Sequence, residues 1–314
     1  MKSTTKSIGG IALGLAIDNG GLTLSDTAKS KYADFGAKPV SNLDVGPGWL
    51  ETITIQQLAT HTSGFIKTAK WYVSDDDTTT PTLLYQPGTT WFYSDGGENW
   101  LAEVLTAVFN EDLATVLGTR VWTTLGLNST FGPAGGGSTS DIHWRDNANR
   151  EQGPGIHNRE LASGMFANAN AMARVGLLFL RKGLWADDKR ILTEDFVTTA
   201  ATPVVANASL ANPQASDFPG APANYGVLWW TNANGQLPNV PRDAFWAWGL
   251  GDSLIVVIPS LDLVIVRAGD QADPDPITNA DPTPGVRTWN DFDWNGDYAV
   301  LAPFLDPIVQ SVSQ

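Results

Sequence analysis

The chain has 314 residues, enough for one large domain or two intimate ones with a substantial core. A net charge of −14 and a pI near 4.4 repel phosphate backbones and argue against a nucleic-acid partner, and the absence of Cys excludes disulfides, thiolate metal sites and a cysteine nucleophile. No apolar run approaches the roughly 20 residues of a membrane helix.

From Ser3 to about Asn19, Ile8, Ile11 and Leu15 recur at helical spacing, and the run stops at Asn19-Gly20-Gly21. A short helix over Ile55 to Thr60 leads into the Gly64 turn. Residues 74–97, "SDDDTTTPTLLYQPGTTWFYSDGG", are loop-rich and turn at Pro87-Gly88. "ENWLAEVLTAVF" and "DLATVLGTRVWTTLGL" both predict amphipathic helices. Residues 128–160 predict a long irregular stretch around "GPAGGGSTS". "NANAMARVGLLFLRKG" predicts a helix ending at Arg181-Lys182 and Gly183, where cations suit the dipole, and "LTEDFVTTAA" predicts another. After about residue 215, "YGVLWWT", "AFWAWGLG", "SLIVVIPS" and "DLVIVRAG" read as strands of an antiparallel meander. An acidic, Pro-rich loop follows, and "YAVLAPFLDPIVQSV" predicts a closing helix despite Pro303 and Pro307. The expected architecture is α+β: a mainly helical region over 1–215 and a sheet with a covering helix over 216–314, together forming one intimate catalytic unit.

The chemistry-bearing patterns are few. "STTK" is the only Ser-x-x-Lys in the chain. On a helix, residues i and i+3 share a face, so the Lys6 amine can reach the Ser3 hydroxyl and handle its proton. The alternative is a Ser3 helix N-cap beside a solvated Lys6. Tyr93-Ser94-Asp95 follows a Pro-Gly turn and precedes a helix, whereas Tyr32-Ala33-Asp34 has the same spacing without that setting. His61 in "HTSG" reads as a hydrogen-bonded ring bracing a turn. Asp291, Asp293 and Asn295 begin like a calcium loop, but position 302, where a bidentate Glu belongs, is Ala. His143, His157, Asp141 and Asp146 are too irregularly spaced for a metal site. "WRDN", Trp144 to Asn147, is a candidate overhang on a cleft, and 13 Trp in all suggest aromatic lining.

Taken in order, "STTK", "LATHTSGF", "FYSDGG", "ELASGMFANANAMARVGLLFLRKG" and "AWGLGDSLIVVIPSLDLVIV" resemble the serine β-lactamase and penicillin-binding-protein superfamily. The resemblance is nearest to the class C-like branch that includes family VIII carboxylesterases and 6-aminohexanoate-dimer hydrolases, and it runs from Ser3 to about Gly269. It implies a β-lactamase/transpeptidase-like fold and a serine hydrolase working through an acyl-enzyme, with no cofactor. Ser3 matches the nucleophile, and Lys6 and Tyr93 match the residues that relay its proton. The oxyanion donors would be the Ser3 N–H and one from the strand between Trp248 and Gly251, with Gly249 beside them. Trp246, Trp248, Trp91 and Trp144 are expected as pocket walls.

Three departures qualify the resemblance. Asp95 stands where the family's Tyr-x-Asn element has Asn. The Lys-Thr-Gly strand is replaced by "WAWGLG", with Trp246 or Trp248 in place of Lys; an indole has one donor and no charge, so it cannot receive a carboxylate. A neutral ester or small amide is therefore the expected substrate, ahead of a β-lactam or a D-alanyl peptide. The helix and two strands that precede the nucleophile in the family have no counterpart before Met1. This predicts a frayed first turn with a positive charge at the dipole's positive end, and so a poorly held Ser3. A non-catalytic or inactive truncated relative is the remaining alternative.

Overall fold

The computed structural model describes residues 1–36, 48–66, 82–129, 140–144, 151–269 and 298–312. Asp291, Asp293, Asn295 and the acidic Pro-rich loop lie outside them, as do Asp146 and the rest of "WRDN" beyond Trp144. Helix α1 (Thr4–Asp18) is buried continuously from Thr4 to Ala16, so it runs through the centre of the protein. A helix closed in on all sides needs small residues where neighbours crowd it. A Cβ on Gly14 would lie 2.5 Å from the Phe196 ring.

Two single turns, α2 (Ala28–Lys31) and α3 (Trp49–Thr52), precede α4 (Ile55–Ala59). Thr54 and Gln57 form a reciprocal capping box at the start of α4. Strands β1 (Phe65–Ile66) and β2 (Thr82–Leu83) pair antiparallel beside it. Helix α5 (Asp95–Phe109) begins three residues before its apolar pattern, because the Ser94 hydroxyl caps it by accepting the Gly97 N–H at 3.0 Å. The helix expected over 112–127 is broken: α6 (Leu113–Leu117) runs into a π-helical turn at Gly118–Trp122. The described residues of 128–160 include short strands where an irregular stretch is expected. Strand β3 (Ile142–Trp144) pairs with β6 (Met165–Ala167), and β4 (Glu151–Gly153) with β5 (Ile156–His157). Helices α7 (Ala169–Leu180) and α8 (Glu194–Ala200) follow.

The main sheet is an antiparallel meander in the order β10-β9-β8-β7, made of β7 (Trp230–Thr231), β8 (Phe245–Gly249), β9 (Ser253–Ile258) and β10 (Leu263–Arg267). Only two residues of "YGVLWWT" join it. Leu228 takes φ +63, its N–H donates to Ala59 O, and its carbonyl accepts from Ser7 Oγ, so the chain turns away before Trp230. Alternation on β8 then feeds two cores. Phe245 and Ala247 pack in the core with α1 and α7, while Trp246 and Trp248 pack in a second core with Tyr298 and Leu305 of the C-terminal segment. Helix α9 (Ala302–Val312) supplies that layer; Pro303 falls in its first turn and Pro307 inside it. No helix among the described residues is long and apolar enough to cross a membrane.

Candidate active site

Ser3 immediately precedes α1 with helical dihedrals, and its side chain makes no capping bond. Its Oγ instead accepts from Lys6 Nζ at 3.1 Å. The frayed first turn expected from the sequence is corrected by the structure. Thr4 Oγ1 donates to Ser253 O at 2.8 Å, and Ser253 Oγ donates to Met1 O at 2.7 Å. The Met165 N–H donates to Thr5 Oγ1 at 3.1 Å, and the Met1 nitrogen donates to Met165 O at 3.0 Å. Hydroxyls on adjacent residues therefore bolt the helix start to β6 and β9.

Lys6 is 2 % exposed, and its three ammonium protons find three acceptors: Ser3 Oγ, Asp95 Oδ1 at 2.7 Å and Ala162 O at 2.8 Å. Glu98 Oε2 lies 3.3 Å away, and the Tyr93 ring centre 4.8 Å away. Burial alone would lower the Lys6 pKa, but Asp95, Glu98 and Tyr93 together hold it well above the ordinary lysine value. Lys6 is therefore an ammonium at rest.

Asp95 and Glu98 sit three apart in the first turn of α5, where the helix dipole favours carboxylates. Asp95, expected as a departure near the site, is the closest counter-ion of Lys6. Glu98 opens the apolar helix pattern in the sequence and carries no further signal there. It is fully buried, and its Oε1 approaches His61 Nε2 at 3.1 Å. Burial raises the Glu98 pKa to about 8 against the opposing pull of Lys6. His61 takes φ +59, and its Nδ1 accepts the Ser94 N–H at 3.1 Å, so it braces the turn into α5. Burial, reinforced by Lys6, keeps the ring neutral. With Nδ1 accepting, the ring proton is assigned to Nε2, facing Glu98. Tyr225 closes this layer: its ring lies 4.7 Å from His61, and its phenol bears on Glu98.

Tyr93 precedes α5 with its N–H donated to Gln214 Oε1 at 2.7 Å. Its ring is stacked at 4.9 Å on Phe218 and 6.1 Å on Trp230. Burial raises the phenol pKa far beyond its ordinary value.

The end of β8 reaches this cluster from the sheet. A Cβ on Gly249 would meet Met1 O at 2.2 Å and the Ser253 and Thr4 hydroxyls at 2.7 Å, so only glycine admits this approach. Gly251 shapes the β8–β9 turn with φ +76. Strand β7 pairs with Phe245 and Trp246 of β8. The indoles expected as pocket walls are instead buried packing groups. Trp91 lies edge-on to His61 at 5.5 Å, and Trp246 meets Tyr298 at 5.4 Å. Trp144 donates Nε1 to Glu160 O at 2.9 Å and packs over Gly9 and Gly164. Trp248, 1 % exposed, donates Nε1 to Asp252 Oδ1 at 3.3 Å. His143 stacks on Phe166 at 5.1 Å, with Ser140 Oγ 2.6 Å from its Nδ1.

This arrangement of a central helix, a meander and a half-buried Ser3 beside buried Lys6 and Tyr93 is a β-lactamase-fold hydrolase scaffold. Residues 1–283 match the beta-lactamase family, and the chain belongs to it. A Bacillus anthracis protein assigned as a 6-aminohexanoate-dimer hydrolase superposes with a TM-score of 0.67 at 18% identity, covering 100% of this chain and 72% of that one. A Mycobacterium bovis beta-lactamase gives 0.58 at 19% identity, covering 99% and 85%. EstCE1, a hydrolase with promiscuous acyltransferase activity, gives 0.59 at 19% identity, covering 85% and 78%. At these identities the likeness is one of fold. A search of curated proteins gives no match.

Proposed function

We propose that the protein is a serine hydrolase that cleaves a neutral carboxylic ester or small amide through an acyl-enzyme on Ser3. The observation that carries this reading is the 3.1 Å contact between Lys6 Nζ and Ser3 Oγ, on a lysine held immobile by Asp95 and Ala162. Ser3 attacks the carbonyl, and its proton passes to the Lys6–Tyr93 pair. The Ser3 N–H and an N–H from the β8 end near Gly249 receive the oxyanion, where one such donor is typically worth about 3 kcal/mol of barrier. Water then releases the acyl group by the reverse proton path. The substrate lies beside Ser3, at the start of α1 and the end of β8. Ester is favoured over β-lactam because Trp246 or Trp248 stands in place of the family's Lys, and neither offers a cation to a carboxylate.

A fluorophosphonate probe tests the nucleophile. Wild type is expected to be labelled and Ser3→Ala not; a folded wild type that stays unlabelled refutes the reading. A panel of p-nitrophenyl esters beside a chromogenic cephalosporin tests the substrate class, and fast cephalosporin turnover would overturn the ester assignment.

A further inference from the structure

Both relay groups are fully protonated at rest, so neither can accept the Ser3 proton until it has given one up. The structure offers one place for that proton. Glu98 Oε2 stands 3.3 Å from Lys6 Nζ. The other carboxylate, Asp95, is the poorer acceptor. It makes the tight 2.7 Å bond to Lys6 and is the first residue of α5, where helix N–H groups stabilise its charge. Glu98 lies deeper, with no exposed surface, and its flanking groups on the other elements are the neutral His61 after α4 and the Tyr225 phenol before β7. Two carboxylates facing one cation cannot both stay ionised cheaply, and the more buried one protonates first.

We infer that Glu98 is a positioning residue that, once ionised, takes a proton from Lys6 and so frees the Lys6 amine to act on Ser3. This rests on the serine-hydrolase reading above. In the step, an Nζ–H bond of Lys6 breaks and an O–H bond forms on Glu98. The freed amine pair takes the Ser3 proton while the Ser3 Oγ–carbon bond forms and the carbonyl pair moves onto oxygen. Lys6, again an ammonium, protonates the leaving group as the tetrahedral carbon expels it, and Glu98 returns its proton to the Lys6 amine. Charge inside the cluster changes only by transfer between its own members, namely Lys6, Asp95, Glu98 and Tyr93, with His61 neutral throughout.

The test is the pH profile of Ser3 acylation by the fluorophosphonate, in wild type, Glu98→Gln and Glu98→Asp. The active pair has one proton fewer than the doubly protonated pair, so wild-type labelling is expected to rise along a limb centred near the Glu98 value of about 8. Glu98→Gln leaves only Lys6 to lose that proton, so its limb moves up by at least about one pH unit, and labelling at pH 7 falls about tenfold or more. Glu98→Asp retains a titrating carboxyl and keeps a limb near the wild-type position. A merely structural Glu98 would lower the rate without moving the limb, and an unmoved Glu98→Gln limb overturns the inference. Should Glu98→Gln not fold, isotope-edited infrared of wild-type Glu98 decides, since its carboxyl must titrate with the same midpoint as labelling. Midpoints more than about a unit apart overturn the inference. A wild type that is never labelled sinks the serine-hydrolase reading itself, and the role of Glu98 falls with it. A labelled wild type with an unmoved limb sinks the Glu98 inference alone.

Discussion

Glu98 and His61 lie 3.1 Å apart in a layer closed to water, and each is held in its neutral form at neutral pH, which ties stability to pH with opposite signs. Glu98 is an acid whose folded pKa is raised from 4.5 to about 8. Its stabilising contribution is complete below the lower value and is lost as pH rises through the upper one. His61 is a base whose folded pKa is depressed below 6.5, so its contribution is present above that value and is lost as pH falls beneath it. Glu98→Gln removes the first dependence and leaves the second. Urea unfolding at stepped pH is expected to show the variant gaining on wild type between about pH 5 and about pH 8. A constant difference over that range would show that Glu98 does not titrate there. The carboxylate is hidden in the sequence because Glu98 merely opens an amphipathic helix pattern, which does not say which way it faces. The actual cap is Ser94, which places Asp95 and Glu98 on one inward-facing turn.

The joint between α1 and the β8–β9 hairpin decides whether Ser3 is held. Ser253 Oγ, Thr4 Oγ1 and Met1 O converge on the space where a Gly249 side chain would be. Gly249→Ala is expected to cost about 1–3 kcal/mol in denaturant unfolding, as overpacked sites do. It should also slow fluorophosphonate labelling of Ser3 by about 10–100-fold, because a shift of the helix start misplaces the nucleophile. Unchanged labelling would mean that this joint does not position Ser3. Helix existence was legible from period and stop signals: α1, α5, α7, α8 and α9 all lie where the apolar spacing predicted them. Where helices end was less legible. The shortening of β7 at Leu228 depends on bonds to the distant Ala59 and Ser7, and the π-helical turn after α6 leaves no mark in the apolar pattern.

Two cores meet across the main sheet, and the candidate site lies where α1, α5 and the end of β8 converge. It gathers residues 3, 6, 93, 95, 98, 162 and 249, so its geometry belongs to the whole molecule and not to one segment. Trp246 shows the other use of bulk in this protein. With no exposed surface and Tyr298 against its ring, it fills the core beneath α9. Trp246→Ala is expected to cost about 3–5 kcal/mol in urea unfolding, as emptying a large core site does. A loss under about 1 kcal/mol would place the indole outside the packed core.

By itself, the sequence determined the local geometry. Ser3 and Lys6 share a face because a helix repeats every 3.6 residues, and the four strands form a meander because turn residues separate short β-branched runs. The absent cation on β8 was equally plain from "WAWGLG". Tertiary structure decided burial and partnership. Aromatic character does not distinguish a core indole from a cleft indole, so Trp91, Trp144, Trp246 and Trp248 turned out to be packing groups. A hydroxyl's partner can lie hundreds of residues away, so the bolting of the first turn through Ser253 could not be read from "MKSTTK". The protonation of a carboxyl depends on how much water it has lost and which charges face it, and only the assembled fold buries Glu98 beside Lys6.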